Sequence, residues 1–97
     1  MPTFSSPPQF KRDFGKLSPR DQSRFQSVVR EQFVPDLRLG LFRPGLRVKG
    51  VQGAPGVFEM TWAPDGRATW QYGEERRPGE PHVVWRRVGT HKIFNSP

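Results

Sequence analysis

The sequence contains no cysteine, which excludes both a disulfide framework and a cysteine-based zinc site. Its two histidines, His82 and His91, are too few to indicate a metal centre, and we expect neither a metal nor a small-molecule cofactor. Long apolar runs are also lacking. No stretch approaches the ~18 residues of a membrane-spanning helix, and no apolar leader is present. These absences predict a cytoplasmic protein that does not associate with a membrane.

Acidic residues are scarce relative to basic ones. Lysine and arginine total 16 against 9 aspartates and glutamates, which leaves a net charge of +7 on 97 residues. A surplus of this size predicts a polyanionic partner: nucleic acid, the ribosome or an acidic protein. The length predicts a single domain over residues 1–97, with a small core that should bury most of the aromatic side chains.

Residues 57–72 alternate between apolar and polar side chains on both sides of a turn sequence, Pro64-Asp65-Gly66. This pattern predicts a β-hairpin with one buried face and one wetter face. A three-residue loop over 64–66 keeps the large apolar groups together and gives Gly66 a left-handed conformation. The facing pairs are then Trp62 with Ala68, Met60 with Trp70, and Phe58 with Tyr72.

The wetter face of this hairpin is the first candidate surface for chemistry, because it carries both charge signs. Its side chains are Glu59, Thr61, Arg67, Thr69 and Gln71. The predicted register separates Glu59 from Arg67 by about 13 Å at the backbone. We therefore expect both to reach one bound nucleotide rather than each other. Glu59 has a second interpretation, as a structural ion-pair partner of nearby arginines.

Two similar sequences predict consecutive helices before the sheet. Ser6 and Ser18 each precede proline and stand three residues before glutamine or aspartate, which is typical of a capped helix start. We expect the first helix to end at Gly15 and the second to end just before Pro35. The apolar residues of each follow one face, which favours an antiparallel helical hairpin.

The remaining segments predict the sheet. Residues 36–45 are expected to be a connection, and residues 46–51 a strand with Arg47 and Lys49 on one side. Residues 82–88 predict a last strand whose facing is ambiguous, as for a strand covered on both faces.

The order of elements predicts an α+β fold. An N-terminal helical hairpin packs on one face of a four-stranded, mainly antiparallel sheet, and the other face stays open. Residues 1–5 are a candidate for an extra strand or an ordered tail. Three tryptophans are expected in the core rather than as base-stacking platforms, and His82 is expected at the surface. These are Trp62, Trp70 and Trp85.

Short motifs over nearly the whole chain resemble those of the RelE/ParE superfamily of type II toxin–antitoxin toxins. They are KLSP at residues 16–19, GLRVKG at 45–50, GVFEM at 56–60, GRA at 66–68 and WRRVGTH at 85–91. The resemblance implies a RelE-like fold and a small basic toxin that an acidic antitoxin protein neutralises. RelE-like members cut mRNA in the ribosomal A site, whereas ParE-like members poison DNA gyrase.

The resemblance also implies a site. The family positions that contact the scissile phosphate or supply acid–base groups match Arg47, Lys49, Arg67 and His91. Two departures accompany the match. Some relatives have a carboxylate near the position of Leu46, and Phe94 is the nearest counterpart of their C-terminal aromatic residue.

Cleavage of RNA by its own 2′-hydroxyl requires a base, an acid and cations, but no metal. Guanidinium groups suit the cation role because their planar fork grips two phosphate oxygens. His91 is the candidate acid, since imidazole titrates near neutrality, and Glu59 is the candidate base. The predicted catalytic residues are Arg67, His91, Lys49 and Glu59; the predicted RNA-binding residues are Arg47, Arg86 and Arg87.

The hypothesis from the sequence is a ribosome-dependent mRNA endoribonuclease, the toxin of a type II toxin–antitoxin system. One alternative is a non-catalytic protein of this fold, either a gyrase inhibitor or a basic module that binds RNA or the ribosome. Another is a degenerate relative that only docks with an antitoxin.

Overall fold

The computed structural model describes residues 2–97. The strands are β1 (Thr3–Ser5), β2 (Lys49–Gly50), β3 (Phe58–Thr61), β4 (Arg67–Gly73) and β5 (His82–Gly89). The helices are α1 (Pro8–Lys16), α2 (Pro19–Val28) and α3 (Val34–Leu39). A π-helical turn (Val29–Phe33) joins α2 to α3, and 3-10 turns span Pro44–Leu46 and His91–Asn95.

The strands form one sheet in the order β1-β5-β4-β3-β2. Strand β1 is parallel to β5, and the other neighbours are antiparallel. This arrangement confirms the predicted α+β class and the mainly antiparallel sheet, with five strands instead of four. The additional strand is β1, which the sequence offered as a candidate.

The prediction that His82 lies at the surface is wrong, because β1 covers it. Its side chain is buried, and the Thr3 hydroxyl lies 2.6 Å from ring Nδ1 while the Ser5 hydroxyl lies 2.8 Å from Nε2. Opposite it on β4, Gly73 leaves room for the ring, since a Cβ there would lie 2.8 Å from the imidazole Cδ2. His82 is therefore part of the junction between β1 and the sheet.

The two helix starts differ from one another. At α2 the predicted cap is confirmed, since the Ser18 hydroxyl accepts a hydrogen bond from the Asp21 N–H at 3.1 Å. At α1 the prediction is wrong: the residue before the helix is Pro7 rather than Ser6, and no side chain caps it. This helix also runs one residue past Gly15 before it ends.

Helix α2 ends earlier than predicted, at Val28, but the chain remains helical past Pro35 through the π-helical turn and α3, so the segment after α2 is not a simple connection. The π-helical turn widens the helix so that the Val34 N–H donates to the Val29 carbonyl. Pro35 then falls in the first turn of α3, where a proline is tolerated. The chain stays helical until Gly40, whose positive φ of 75° closes it.

The helices pack against the apolar face of the sheet through aromatic rings. From α2, the Phe25 ring centroid lies 5.7 Å from that of Trp62 and 5.4 Å from that of Trp85. The Phe33 ring lies 5.1 Å from Trp70, edge to face. All three tryptophans are buried, which confirms the prediction that they belong to the core.

The predicted hairpin forms, but its register differs. The observed pairs are Phe58 with Trp70, Glu59 with Thr69, Met60 with Ala68, and Thr61 with Arg67. The loop does have three residues, but it covers 63–65, and the Trp62 N–H donates to the Gly66 carbonyl at 3.1 Å. Because this shift moves one strand by two residues, every side chain keeps its predicted face.

The predicted role of Gly66 is wrong as well. Its φ is not positive; instead, the residue is needed because the Trp62 ring packs directly over it. A Cβ at Gly66 would lie 2.7 Å from two carbons of that ring and 2.8 Å from the Ala63 Cβ. Packing in the core therefore requires a glycine at position 66 and favours the observed register, in which the loop covers residues 63–65 rather than 64–66.

The predicted strand over residues 46–51 is reduced to the two residues of β2. Leu46 ends a 3-10 turn and its side chain is buried in the core, so the strand cannot begin at this residue. Arg47 follows with a left-handed φ of 50°. Arg47 and Lys49 consequently do not alternate along one strand.

The apolar residues of the last strand do not alternate regularly, and the cause is a break in its pairing rather than the predicted cover on both faces. Strand β5 does lie between β1 and β4, but its pairing shifts by one residue: Trp85 faces Trp70, whereas Arg87 faces Thr69. Arg86 is thus the extra residue of a β-bulge, which reverses the alternation. Trp85 and Val88 can therefore both be buried although three residues separate them.

Beyond β1, helix α1 covers the edge of β5. The buried Asp13 carboxylate accepts from Arg87 Nε at 2.6 Å and from the Val88 N–H at 3.3 Å. Burial by itself raises the pKa of Asp13, but the hydrogen bonds from Arg87, Gln9 and Val88 outweigh it and hold the pKa below its ordinary value.

Two alanine substitutions test the packing at Gly66. Gly66→Ala should lower the free energy of unfolding by about 1–3 kcal/mol, because the buried Trp62 ring cannot move aside. The matched control is Gly15→Ala in α1, where a Cβ meets nothing within 4 Å and helix propensity favours alanine by about 1 kcal/mol. Urea unfolding measures both, and equal effects of the two changes would contradict the packing argument.

Asp13→Asn should destabilise the protein in a pH-dependent manner. At pH 7 the loss is expected to be about 2–3 kcal/mol, because Arg87 loses a buried counter-charge. A carboxylate with a lowered pKa stabilises the fold above its ordinary pKa, and the effect disappears as the pH falls through the lowered value. The difference between wild type and variant should therefore shrink below about pH 4.

Urea unfolding at pH 7 and at pH 3 measures this difference. Glu74→Gln, on the exposed segment between β4 and β5, serves as the control and should match the wild type at both values. A destabilisation by Asp13→Asn that is the same at both pH values would show that the charge is not the cause.

Candidate functional site

The open face of the sheet carries a row of polar side chains across three strand pairs. Lys49 faces Glu59, Glu59 faces Thr69, and Thr69 faces Arg87. Directly opposed residues share a face, so these four project from the side of the sheet opposite the helices. The next row toward the hairpin loop pairs Arg67 with Thr61 and Gly89. The predicted catalytic residues Lys49, Glu59 and Arg67 therefore lie on one face.

The observed register brings Glu59 and Arg67 closer than the sequence predicted. Glu59 faces Thr69, and Arg67 stands two residues from Thr69 on the same strand. The two are diagonal neighbours, and their side-chain bases are about 7–8 Å apart. Within the described residues Glu59 makes no ion pair. Of its two interpretations, the structural ion pair is thus not observed.

Arg67 is held at the hairpin end of this face. Its guanidinium Nη1 donates to the carbonyl oxygens of Gly66 at 3.0 Å and of Ala63 and Pro64 at 3.3 Å each. No carboxylate in the described part of the chain forms an ion pair with it. Its full positive charge is therefore positioned by neutral groups and is available to an anion.

His91 lies at the same end, because β5 ends where the hairpin loop begins. The imidazole Nδ1 is 2.8 Å from Asp65 Oδ1, and both side chains are exposed. A carboxylate only accepts hydrogen bonds, so Nδ1 carries the proton and Nε2 remains available. The hydrogen bond from His91 lowers the pKa of Asp65, and the nearby charge of Arg67 lowers it further. Asp65 is therefore bonded to His91 and lies near Arg67, which places His91 and Arg67 at the same end of the sheet.

Sequence reasoning did not assign a role to Asp65 beyond the turn. A role for Asp65 could have been predicted from the pairing of Arg67 with Gly89, which brings the hairpin loop beside the residues that follow β5. That pairing depends on the register, and the register is set by core packing rather than by local sequence.

The predicted RNA-binding residues occupy three different settings. Arg86 projects onto the open face, where Nη1 donates to Gln71 Oε1 at 2.7 Å. Arg87 lies opposite Thr69 on the same face, but its Nε is paired with the buried Asp13 carboxylate. Arg47 is exposed ahead of β2 and lies outside both polar rows. The structure therefore brings Arg86 and Arg87 to the candidate surface and leaves Arg47 at its margin.

Two negative findings apply to residues 2–97. No group of three His, Cys, Asp or Glu side chains is arranged to hold a metal ion. None of the helices in this part of the chain has the length and apolarity required to cross a membrane.

Comparison with solved structures identifies the fold. The chain matches a mutant of Escherichia coli YafQ with a TM-score of 0.72, 13% identity and coverage of 97% of this chain and 98% of that one. It matches a chain of the Mycobacterium tuberculosis toxin–antitoxin complex RelBE2 with a TM-score of 0.66, 19% identity and coverage of 94% and 100%. A copper-bound mutant toxin from Helicobacter pylori matches with a TM-score of 0.68, 18% identity and coverage of 95% and 97%.

No protein-family model matches the sequence, and no curated protein matches it significantly. The chain therefore has the fold of the RelE-type toxins, at sequence identities that show the fold alone. The resemblance drawn from the sequence motifs is confirmed at this level.

His91→Ala tests the pair at the hairpin end. The pKa of Asp65 should rise toward its ordinary value, since the hydrogen bond that lowers it most is removed. Titration of the side-chain carboxyl signals by NMR measures the change. Asp36, whose pKa is lowered by hydrogen bonds from Arg43, is the internal control and should not move. An unchanged Asp65 would mean that the pair is not formed in solution.

Proposed function

We propose that the protein is the toxin of a type II toxin–antitoxin system and acts as a metal-independent endoribonuclease on mRNA bound to the ribosome. The observation that supports this function best is the convergence of Arg67 with the His91–Asp65 pair at one end of an open sheet face. A cation that forms no ion pair with a described carboxylate, beside an imidazole, supplies two of the three groups that phosphodiester cleavage requires, the charge stabiliser and the acid.

In the proposed mechanism the RNA 2′-oxygen attacks the adjacent phosphorus and the bond from phosphorus to the 5′-oxygen breaks. Glu59 takes the proton of the 2′-hydroxyl, and His91, which enters the step as the imidazolium with a proton on each ring nitrogen, gives the Nε2 proton to the leaving 5′-oxygen and keeps the Nδ1 proton. Asp65 keeps the imidazole in the orientation in which Nδ1 is bonded and Nε2 is available. Atoms and charge balance without a metal or an oxidant.

Cationic side chains hold the phosphate during this reaction. Arg67 stabilises the negative charge that develops on the phosphoryl oxygens, and Lys49, which faces Glu59 across β2 and β3, assists it. Arg47, Arg86 and Arg87 attract the rest of the RNA backbone. Arg87 also keeps a structural role through Asp13.

The partners proposed for this function are mRNA on the ribosome and an acidic antitoxin protein, and the compartment is the cytoplasm. The net charge of +7 supports both polyanionic partners. Solved structures with this fold include the E. coli DinJ–YafQ toxin–antitoxin complex, with a TM-score of 0.70 at 13% identity.

A second candidate is a non-catalytic toxin of the same fold that inhibits gyrase or binds RNA. Two features favour it. Leu46 is buried where some relatives have a carboxylate, and the Arg67 guanidinium is engaged by three loop carbonyls.

Induced expression of the chain in bacteria tests the two candidates. The endoribonuclease should stop growth and produce mRNA cuts at positions that follow the codon register, mapped by sequencing of RNA ends. Arg67→Ala should reduce cleavage by about 100-fold or more, because a preorganised charge at the phosphoryl oxygens is lost. His91→Ala should have a similar effect through loss of the acid.

The control is Arg76→Ala, which removes an exposed cation from the segment between β4 and β5. It should cut mRNA as the wild type does, and circular dichroism should show all three variants folded. Growth arrest with intact mRNA and broken DNA would instead indicate a gyrase inhibitor. Harmless expression would indicate a passive binder.

A further inference from the structure

A groove of about 770 Å³ opens on the helical side of the sheet, between α1 on one wall and the segment from α2 to α3 on the other. Its floor consists of buried aromatic rings: the Trp85 ring centroid lies 5.6 Å from that of Phe10 and 5.4 Å from that of Phe25. The polar rows of the open face lie on the other side of the sheet. The groove is therefore separate from the proposed nuclease site.

The walls of the groove are apolar. Phe14 stands on the α1 wall, and Val29, Val34 and Pro35 stand on the opposite wall. None of these four side chains is fully buried, so the groove exposes apolar surface to water. The removal of such surface from water is favourable. Cavities of about 300–1,000 Å³ with a mainly apolar and aromatic lining are typical of small-molecule sites, and this groove falls within that range.

The rim of the groove is cationic. Lys11 lies on the α1 side, and Arg30 and Arg38 lie on the other side; all three are exposed. Among the described residues that line the groove, none is acidic. Arg30 has a long contact of 3.8 Å with Glu31, and because both side chains are exposed this pair contributes little. The rim therefore complements an anionic group placed next to an apolar one.

The length of the groove favours a small molecule over a protein. Helix α1 has nine residues, so this wall is about 13 Å long at a rise of 1.5 Å per residue. A helix of a partner protein laid along it contributes about nine residues, whereas a standard protein interface takes about 20–30 residues on each side. An extended decanoate chain, by contrast, has a length similar to that of the wall.

We propose that this groove binds a small amphiphilic anion. The alkyl or aryl body of the ligand lies on the ring of Trp85 between the two walls, and a single carboxylate, phosphate or sulfate head binds to cations of the rim. This site goes beyond the proposed nuclease function and uses none of the residues assigned to it.

Isothermal titration calorimetry with octanoate and decanoate, each below its micelle concentration, tests the apolar part of the site. Decanoate should bind at least tenfold more tightly than octanoate, because each buried methylene raises the affinity by about fourfold. The heat-capacity change on binding should be negative, as expected for buried apolar surface. The NMR signals of the Val29 methyl groups should shift on addition of decanoate, since they line the groove.

A groove-filling variant shows where the chain binds. Val34→Trp places a large ring between the two walls and should weaken decanoate binding by at least tenfold. Thermal unfolding confirms that the variant is folded. If it is not, the comparison of chain lengths and the variants of the rim still decide the outcome.

The anionic head is tested by changing charge on either partner. Decyltrimethylammonium has the same alkyl chain and the opposite charge, and it should bind at least tenfold more weakly than decanoate. A triple variant that replaces the rim cations by glutamine should weaken decanoate binding by about tenfold, because hydrogen bonds to a charged group are lost. The rim variant combines Lys11→Gln, Arg30→Gln and Arg38→Gln. The control has the same net charge, leaves the groove intact and should bind as the wild type does; it combines Arg20→Gln, Arg76→Gln and Arg77→Gln.

Several results would overturn the inference. Neither fatty acid binds below its micelle concentration, decanoate binds Val34→Trp as tightly as the wild type, or the rim variant and its control bind equally well. Binding of a synthetic acidic amphipathic helix in the groove, without binding of decanoate, would assign the groove to a protein partner instead. None of these measurements uses the growth and cleavage assays, so failure of this site and failure of the nuclease function are distinguishable.

Discussion

The structure depends on one extra residue in β5. The bulge at Arg86 lets a single strand send Trp85 and Val88 into the core and two arginines to the opposite side. A regular strand would have buried one of these arginines or exposed Val88, at a cost of several kcal/mol for an uncompensated charge. Helix α1 packs on this part of β5, where Asp13 accepts from the Val88 N–H and neutralises Arg87. The bulge therefore determines the pairing of β5, the contact of α1 with that strand and the face on which the two arginines lie.

The few acidic residues explain how a chain with a charge of +7 can fold and still present cations. Three aspartates hold basic side chains in place: Asp13 with Arg87, Asp36 with Arg43, and Asp65 with His91. The Asp36 pair is bidentate, with distances of 2.8 Å and 2.9 Å, and it fixes the segment that leads to the sheet. Arg67 is positioned by backbone carbonyl oxygens instead, and Arg86 donates to the side-chain amide of Gln71. The carboxylates therefore stabilise the frame, whereas Arg67 and Arg86 lie on the open face without an ion pair to an aspartate or glutamate of the described residues.

Much of the fold could be predicted because the strongest signals are local. Alternation over residues 57–72 defines which side chains share a face, and a register shift of two residues leaves that assignment intact. The π-helical turn before Pro35 could not be predicted, since it exists to keep Phe33 and the following turn in contact with the core. The left-handed Arg47 follows in the same way from the burial of Leu46. In both places the packing of the core overrides the backbone conformation that the local sequence favours.

The candidate site was predictable in its cations but not in its geometry. Arg67 and His91 are recognisable as residue types that handle phosphate, whereas the carboxylate that joins them lies 26 residues from His91 in sequence. The pairing of Arg67 with Gly89 brings the loop and the strand end together, and it belongs to the same ladder in which the buried residues Ala68 and Trp70 face Val88 and Trp85. The proposed chemistry at the surface is therefore a consequence of aromatic packing on the other side of the sheet.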